Sequence, residues 1–201
     1  MSDRDAALSE LAASIRRLID ATVTVEGDAA LLGGVARRVD ALATELRPAV
    51  PDPPPPRYAG GGPTPMDFFP YDYVIGRWNP LAAPIHMEWQ EPLAIGTATF
   101  GTPYEGPPGC VHGAAIAAAF DQVLNVANLM SGAAGPTARL EMRYRRPTPL
   151  HRPLRFEGWV AQREARKVHS LGRLLVDDVV TVEAEGLYIV VDPERVVRLL
   201  G

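Results

Sequence analysis

Along residues 1–47 the apolar positions fall at helical spacing. Leu8, Leu11, Ile15 and Leu18 recur every three or four residues and predict a helix over residues 3–20, with Ser2 and Asp5 as a capping box. Leu31, Val35, Val39, Leu42 and Leu46 make a second stripe and predict a helix over residues 29–46, after a break at Gly27 and a cap at Asp28. Short amphipathic helices of this kind are marginal alone in water. They must pack on each other, on the rest of the chain or on a partner subunit.

Residues 48–65 then hold eight of the chain's 20 prolines, with Pro53 to Pro56 consecutive and Gly60 to Gly62 close behind. Proline fixes φ and lacks an amide donor, so this stretch reads as an extended linker or surface-hugging arm. From about residue 70 the pattern changes to strands around one helix. Short apolar runs at 85–89 and 93–100 are split by Glu91-Pro92, and a Pro/Gly loop leads into a helix over 112–131. Residues 137–146 alternate: Ala138, Leu140, Met142 and Tyr144 point one way, and Arg139, Glu141, Arg143 and Arg145 the other. That is a strand with one covered face. Runs at 154–160, 168–176 and 179–191 continue as strands. One helix between the second and third strands, then an antiparallel run, predicts an α+β fold. The chain thus divides into a helical extension (1–47), a Pro/Gly-rich linker (48–69) and a main domain (70–201).

The helix at 112–131 carries the chemistry. Apolar residues occur all round it, so it reads as surrounded by the fold. Asp121, Gln122, Asn125 and Asn128 interrupt the apolar run, which argues against a membrane span. Asp121 is its only carboxylate, and isolating one among apolar side chains is costly unless it is paired, hydrated or used in chemistry. At the helix start, Gly113 leaves backbone N–H groups open to a close approach, with the helix dipole favouring negative charge there. That is the material of an oxyanion hole. Asp121 lies eight residues further on, ~12 Å of helix rise. One chain's Gly113 and Asp121 are too far apart to serve the same carbonyl, so the spacing favours a site shared between two copies.

Charge sharpens the picture. The formal net charge is −4 over 201 residues, yet residues 139–167 hold nine basic and only three acidic side chains. A local basic surface on an acidic protein suits an anionic, phosphate-bearing ligand rather than nucleic acid. Guanidinium forks match phosphate oxygens, which singles out Arg143, Arg145, Arg146, Arg166 and Lys167. One cysteine, Cys110, excludes an intrachain disulfide. It reads as a small loop hydrophobe, not a nucleophile. His86, His151 and His169 lack metal-ligand spacing, so no metal site is expected. Trp78, Trp89, Phe100 and Phe120 line either a pocket or the core. The polar, acidic first ten residues are unlike a signal peptide, and the balance reads as soluble and cytoplasmic.

His112-Gly113 followed by Asp121, set between a strand pair and an antiparallel run, resembles the hotdog-fold acyl-CoA thioesterases (4HBT type), and most of all the phenylacetyl-CoA thioesterase type. The loop Gly106-Pro107-Pro108-Gly109-Cys110-Val111, the run Arg145-Arg146-Pro147-Thr148-Pro149-Leu150, the pair Arg166-Lys167 and Gly76-Arg77-Trp78-Asn79-Pro80-Leu81 resemble that family as well. The likeness covers roughly residues 74–192. It implies a curved antiparallel sheet wrapped around the long helix, with the N-terminal helices as an extension. It also implies a homodimer, or a dimer of dimers, with two sites between subunits. The substrate would be an acyl-CoA, its coenzyme A being part of the substrate rather than a resident cofactor. By resemblance Gly113 donates its N–H to the thioester oxygen and His112 shapes that turn. Asp121 is general base on water or, alternatively, the direct nucleophile, and Thr137 holds the attacking water. Asn79 and Ala114 fall among the substrate contacts. Ala114 stands where the family has a second glycine, and no Asn precedes His112 in its loop, as it does in some relatives. A non-catalytic hotdog protein binding acyl-CoA or another lipidic ligand is the rival reading. A hydratase would need a His base near the helix's Asp, and no such pairing is visible.

Overall fold

The computed structural model describes residues 2–53 and 62–191. Most of the predicted polyproline run, at 54–56, lies outside them, as do Gly60, Gly61 and the last ten residues. Helices α1 (Asp3–Thr24) and α2 (Ala29–Leu46) begin where their caps predict. Ser2 Oγ accepts the Asp5 N–H while the Asp5 carboxylate accepts the Ser2 N–H, and Asp28 accepts from Leu31. The packed domain starts earlier than residue 70. A helical turn, α3 (Pro65–Phe68), lies within the segment read as linker. Proline at the first helical position loses no hydrogen bond, and Phe68 stacks edge-on against Trp89 at 5.8 Å.

Strands β1 (Ile85–Gln90) and β2 (Leu93–Ala98) precede helix α4 (Gly113–Met130). Strands β3 (Thr137–Tyr144), β4 (Leu154–Glu164), β5 (Lys167–Val176) and β6 (Val179–Ile189) follow it. All pair antiparallel in the order β1-β2-β4-β5-β6-β3, a single sheet curved around α4. This is the hotdog arrangement. Two glycines paired across β4 and β5 let the helix lie close. A Cβ on Gly158 would sit 2.9 Å from Val123 Cγ1, and one on Gly172 2.8 Å from Phe120 Cε1. Phe120 packs edge-on against Phe156 at 5.3 Å, amid buried Met87, Leu124, Leu174 and Tyr188.

Within one chain α4 is not surrounded. Half of its 18 residues are buried, but Ala114, Ala118, Asp121 and Asn125, one stripe at helical spacing, stay partly open. The sheet covers the opposite side of the helix, and among the described residues no strand or helix is laid over the stripe. The outer face of the sheet is instead a lattice of ion pairs. Glu157, only 6% exposed, lies between Arg155 and Arg173 at 2.7 and 2.6 Å. Arg139 meets Glu141 and Glu185, and Arg145 meets Glu183.

Candidate active site

The start of α4 is built by His112. Its backbone N–H donates to Tyr104 O at 2.8 Å, and its Nδ1 accepts the Ala114 N–H at 3.0 Å. Ala115 N–H donates to His112 O. The Ala114 donor is thereby spent in capping the helix, while the Gly113 N–H finds no acceptor among the described residues. One free donor at a helix N-terminus is thus presented beside an exposed alanine. A Cβ on Gly113 would lie 3.1 Å from Tyr144 Oη, a tight contact that the Tyr144 side chain would have to yield to by a few tenths of an ångström. Tyr144 Oη donates to Gly113 O at 2.8 Å, tying the end of β3 to the first turn of α4.

Asp121 sits two turns along the open stripe. Thr137 Oγ1 donates to its Oδ1 at 2.6 Å, a short bond of the kind ionised acceptors make. Strict alternation would have put Thr137 on the arginine face of β3. A bulge prevents that: Thr137 pairs with Tyr188 and Arg139 with Leu187, leaving Ala138 as the extra residue. Thr137 is therefore turned onto the helix-facing side, the re-aiming that a bulge supplies beside a functional group. Tyr188, fully buried, donates its hydroxyl to Asp121 O at 3.2 Å. Burial first, and the nearby Asp121 charge second, push its phenol well above the ordinary value, so it stays a neutral prop.

The other predicted positions spread out. Asn79 uses its amide internally, donating to Tyr71 O and accepting from Leu81 N–H, and so shapes the 71–81 segment. Arg145 is bound to Glu183 through Nε and Nη2, and Arg166 Nε donates to Val190 O. Arg143, Arg146 and Lys167 make no ion pair among the described residues. In one chain the basic cluster falls into two groups. Arg143, Arg145 and Arg146 flank Tyr144, while Arg166 and Lys167 lie near the Thr137 end, where Val168 pairs with Tyr188. Sequence reasoning missed Tyr144 and Tyr188 as parts of the site, since each acts on α4 across more than 30 residues of chain.

The sequence profile of the thioesterase superfamily matches residues 108–173, the stretch from the loop before His112 into β5. A thioesterase superfamily protein of known crystal structure is 35% identical, with a TM-score of 0.82 over 90% of this chain and 94% of that one. The chain belongs to the thioesterase superfamily. Acyl-coenzyme A thioesterase THEM4 of Bos taurus is 35% identical over 98 residues, which are 47% of this chain and 40% of that protein. The chain thus spans less than half the length of this curated relative. The fold is also similar to that of a Streptococcus mutans UA159 protein bound to acetyl CoA. It is 16% identical, with a TM-score of 0.51 over 53% of this chain and 88% of that one.

Proposed function

We propose that the chain hydrolyses acyl-CoA thioesters as a homodimer, with each site made from Gly113 of one subunit and Asp121 of the other. The observation that carries this reading is the Thr137–Asp121 hydrogen bond on an open stripe of α4. Thr137 spends its proton on Oδ1 and so leaves Oδ2 to face a water. The hydroxyl lone pairs that remain can accept the water's second hydrogen. Asp121 takes one proton as the water oxygen attacks the thioester carbon. The negative charge that forms on the carbonyl oxygen meets the free Gly113 N–H at the positive end of the helix. Collapse breaks the carbon–sulfur bond, and the proton held by Asp121 leaves with the coenzyme A sulfur.

The pairing of two chains is supported by β3. It is an edge strand whose helix-facing side chains remain partly open, Tyr144 being 52% exposed. An unpaired edge of this kind is open to a second strand. Antiparallel pairing of two β3 edges about a two-fold axis would set the Tyr144–Gly113 end of one chain beside the Thr137–Asp121 end of the other. The same pairing would reunite the two basic groups. Arg143, Arg146 and Lys167 would then be the cations left for the phosphates of coenzyme A. The acyl-CoA thioesterase relative and the acetyl CoA held by a protein of this fold support that ligand class.

The test is thiol release from a panel of acyl-CoAs, with Asp121→Asn as control. Loss of the general base is expected to lower kcat by about 10²–10⁴ while the protein still folds and dimerises. Wild-type turnover in that variant, or tight acyl-CoA binding with no turnover in the parent, would overturn hydrolysis.

A further inference from the structure

A cavity of about 220 Å³ opens beside the start of α4, between Tyr73, Val74 and Leu81 on one side and Tyr104, Ala114 and Ala118 on the other. Ala114 and Ala118 belong to the same open stripe as Asp121. Tyr73 and Leu81, each 63% exposed, are the most exposed large apolar side chains among the described residues. They stand at the lip of this cavity. Its outer wall has neither strand nor helix from residue 71 to residue 84 and is held by side chains: Asp72 Oδ1 accepts the Val74 and Ile75 N–H groups, and Asn79 bridges Tyr71 O and Leu81 N–H.

Helix α1 adds further ties from outside the segment. Ser9, Ala12 and Arg16 form one stripe at helical spacing, beside the leucine stripe that the sequence pattern picks out. Trp78 Nε1 donates to Ser9 Oγ at 3.0 Å, and Ala12 is buried at 2% exposure. Arg16 Nη2 lies within hydrogen-bond distance of three wall carbonyls: Gly76 at 3.0 Å, Arg77 at 3.2 Å and Asn79 at 2.8 Å. No carboxylate pairs with Arg16 among the described residues, and burial holds its guanidinium below the ordinary value. A partly buried cation is therefore committed to carbonyls of one irregular segment.

We infer that α1 is a positioning element of the acyl site: through Arg16 it fixes the outer wall of this cavity, and so the fit of a short aliphatic acyl group. The inference rests on the acyl-CoA reading above and goes beyond it by giving the N-terminal extension a role in substrate selection. The cavity is smaller than the about 300–1,000 Å³ common for drug-sized ligands, which suits a short chain over a long one.

The experiment measures calorimetric affinities for CoA, acetyl-CoA and hexanoyl-CoA in an Asp121→Asn parent, which holds substrate without consuming it. Adding Arg16→Ala is expected to weaken hexanoyl-CoA about fivefold or more, with CoA and acetyl-CoA changed less than about twofold. Ser9→Ala, which removes only the Trp78 tie, moves hexanoyl-CoA the same way by less. It decides the matter if Arg16→Ala does not fold. With Asp121 restored, Arg16→Ala raises KM for hexanoyl-CoA at unchanged kcat. Unchanged hexanoyl-CoA affinity in both variants overturns the inference. So does equal weakening of all three ligands, or a parent that does not bind hexanoyl-CoA. Selective weakening in a protein that releases no thiol would instead leave the wall standing and remove hydrolysis.

Discussion

The two faces of the sheet use their polar groups for different work. On the helix-facing side, β3 and β6 send single hydroxyls to α4: Thr137 to the Asp121 carboxylate, Tyr144 to Gly113 O and Tyr188 to Asp121 O. On the outer side, carboxylates and guanidiniums pair along and across strands β3 to β6. The hydroxyls are sparse, directional and spent at two turns of one helix. The ion pairs are redundant and mostly half exposed, where each is worth little alone. Removing one inner hydroxyl should therefore show in turnover, whereas changing an outer charge should show in stability or not at all.

The largest contrast is expected from Thr137→Val, which keeps shape near Asp121 but removes the donor. A hydrogen bond to a charged group is worth about 1.5–3 kcal/mol. Turnover should fall about 10- to 100-fold, and the melting temperature should drop by a few degrees at most because the bond lies at an exposed site. Steady-state kinetics and a thermal melt on the same preparation check this. A variant that melts early but turns over normally would reverse the assignment of the two faces.

The outer face has one buried carboxylate, and its effect should depend on pH. Burial alone would raise the Glu157 pKa, but the hydrogen bonds and charges of Arg155 and Arg173 outweigh it and leave it lowered. A carboxylate with a depressed folded pKa stabilises the fold above its unfolded value near pH 4.5, and that contribution is lost as pH falls through the folded value. Glu157→Gln should cost about 1–2 kcal/mol at neutral pH. The difference from wild type should shrink on acidification below about pH 4. Denaturant melts at several pH values measure it, and a pH-independent difference would contradict this account. Turnover per folded molecule should not change.

Much of this was legible in the sequence. The helix starts at Ser2 and Asp28, the six strands and the place of α4 follow from local spacing and caps, which depend only on near neighbours. The choice of Thr137 beside Asp121 came from the family resemblance and not from local spacing. The side on which Thr137 lies was not legible, because a bulge at Ala138 is set by the register against β6 and not by the alternation of β3 itself. Nor was the docking of α1, which sets Arg16 against carbonyls 60 or more positions away and Ser9 against the Trp78 indole N–H rather than using its leucine stripe. Backbone acceptors have no sequence signature. The apolar residues all round α4 misled for a related reason: small apolar side chains on a face left open in one chain read the same as buried ones.

Tyr144 tests the comparison most finely, since it stands on the inner side of β3 yet is half exposed. Its hydroxyl is a neutral donor, and a neutral hydrogen bond contributes about 1 kcal/mol. Tyr144→Phe should lower kcat about fivefold or less, by loosening the first turn that presents the Gly113 N–H. Gly113→Ala should be worse alone, because its methyl meets the Tyr144 hydroxyl at 3.1 Å. Adding Tyr144→Phe to Gly113→Ala should then recover part of the loss, since the clashing oxygen is gone. Additive kinetic losses in that double-mutant cycle would mean the two residues act separately. Tyr144 would then belong with the outer face, as a side chain that shields the sheet edge and takes no part in holding the donor.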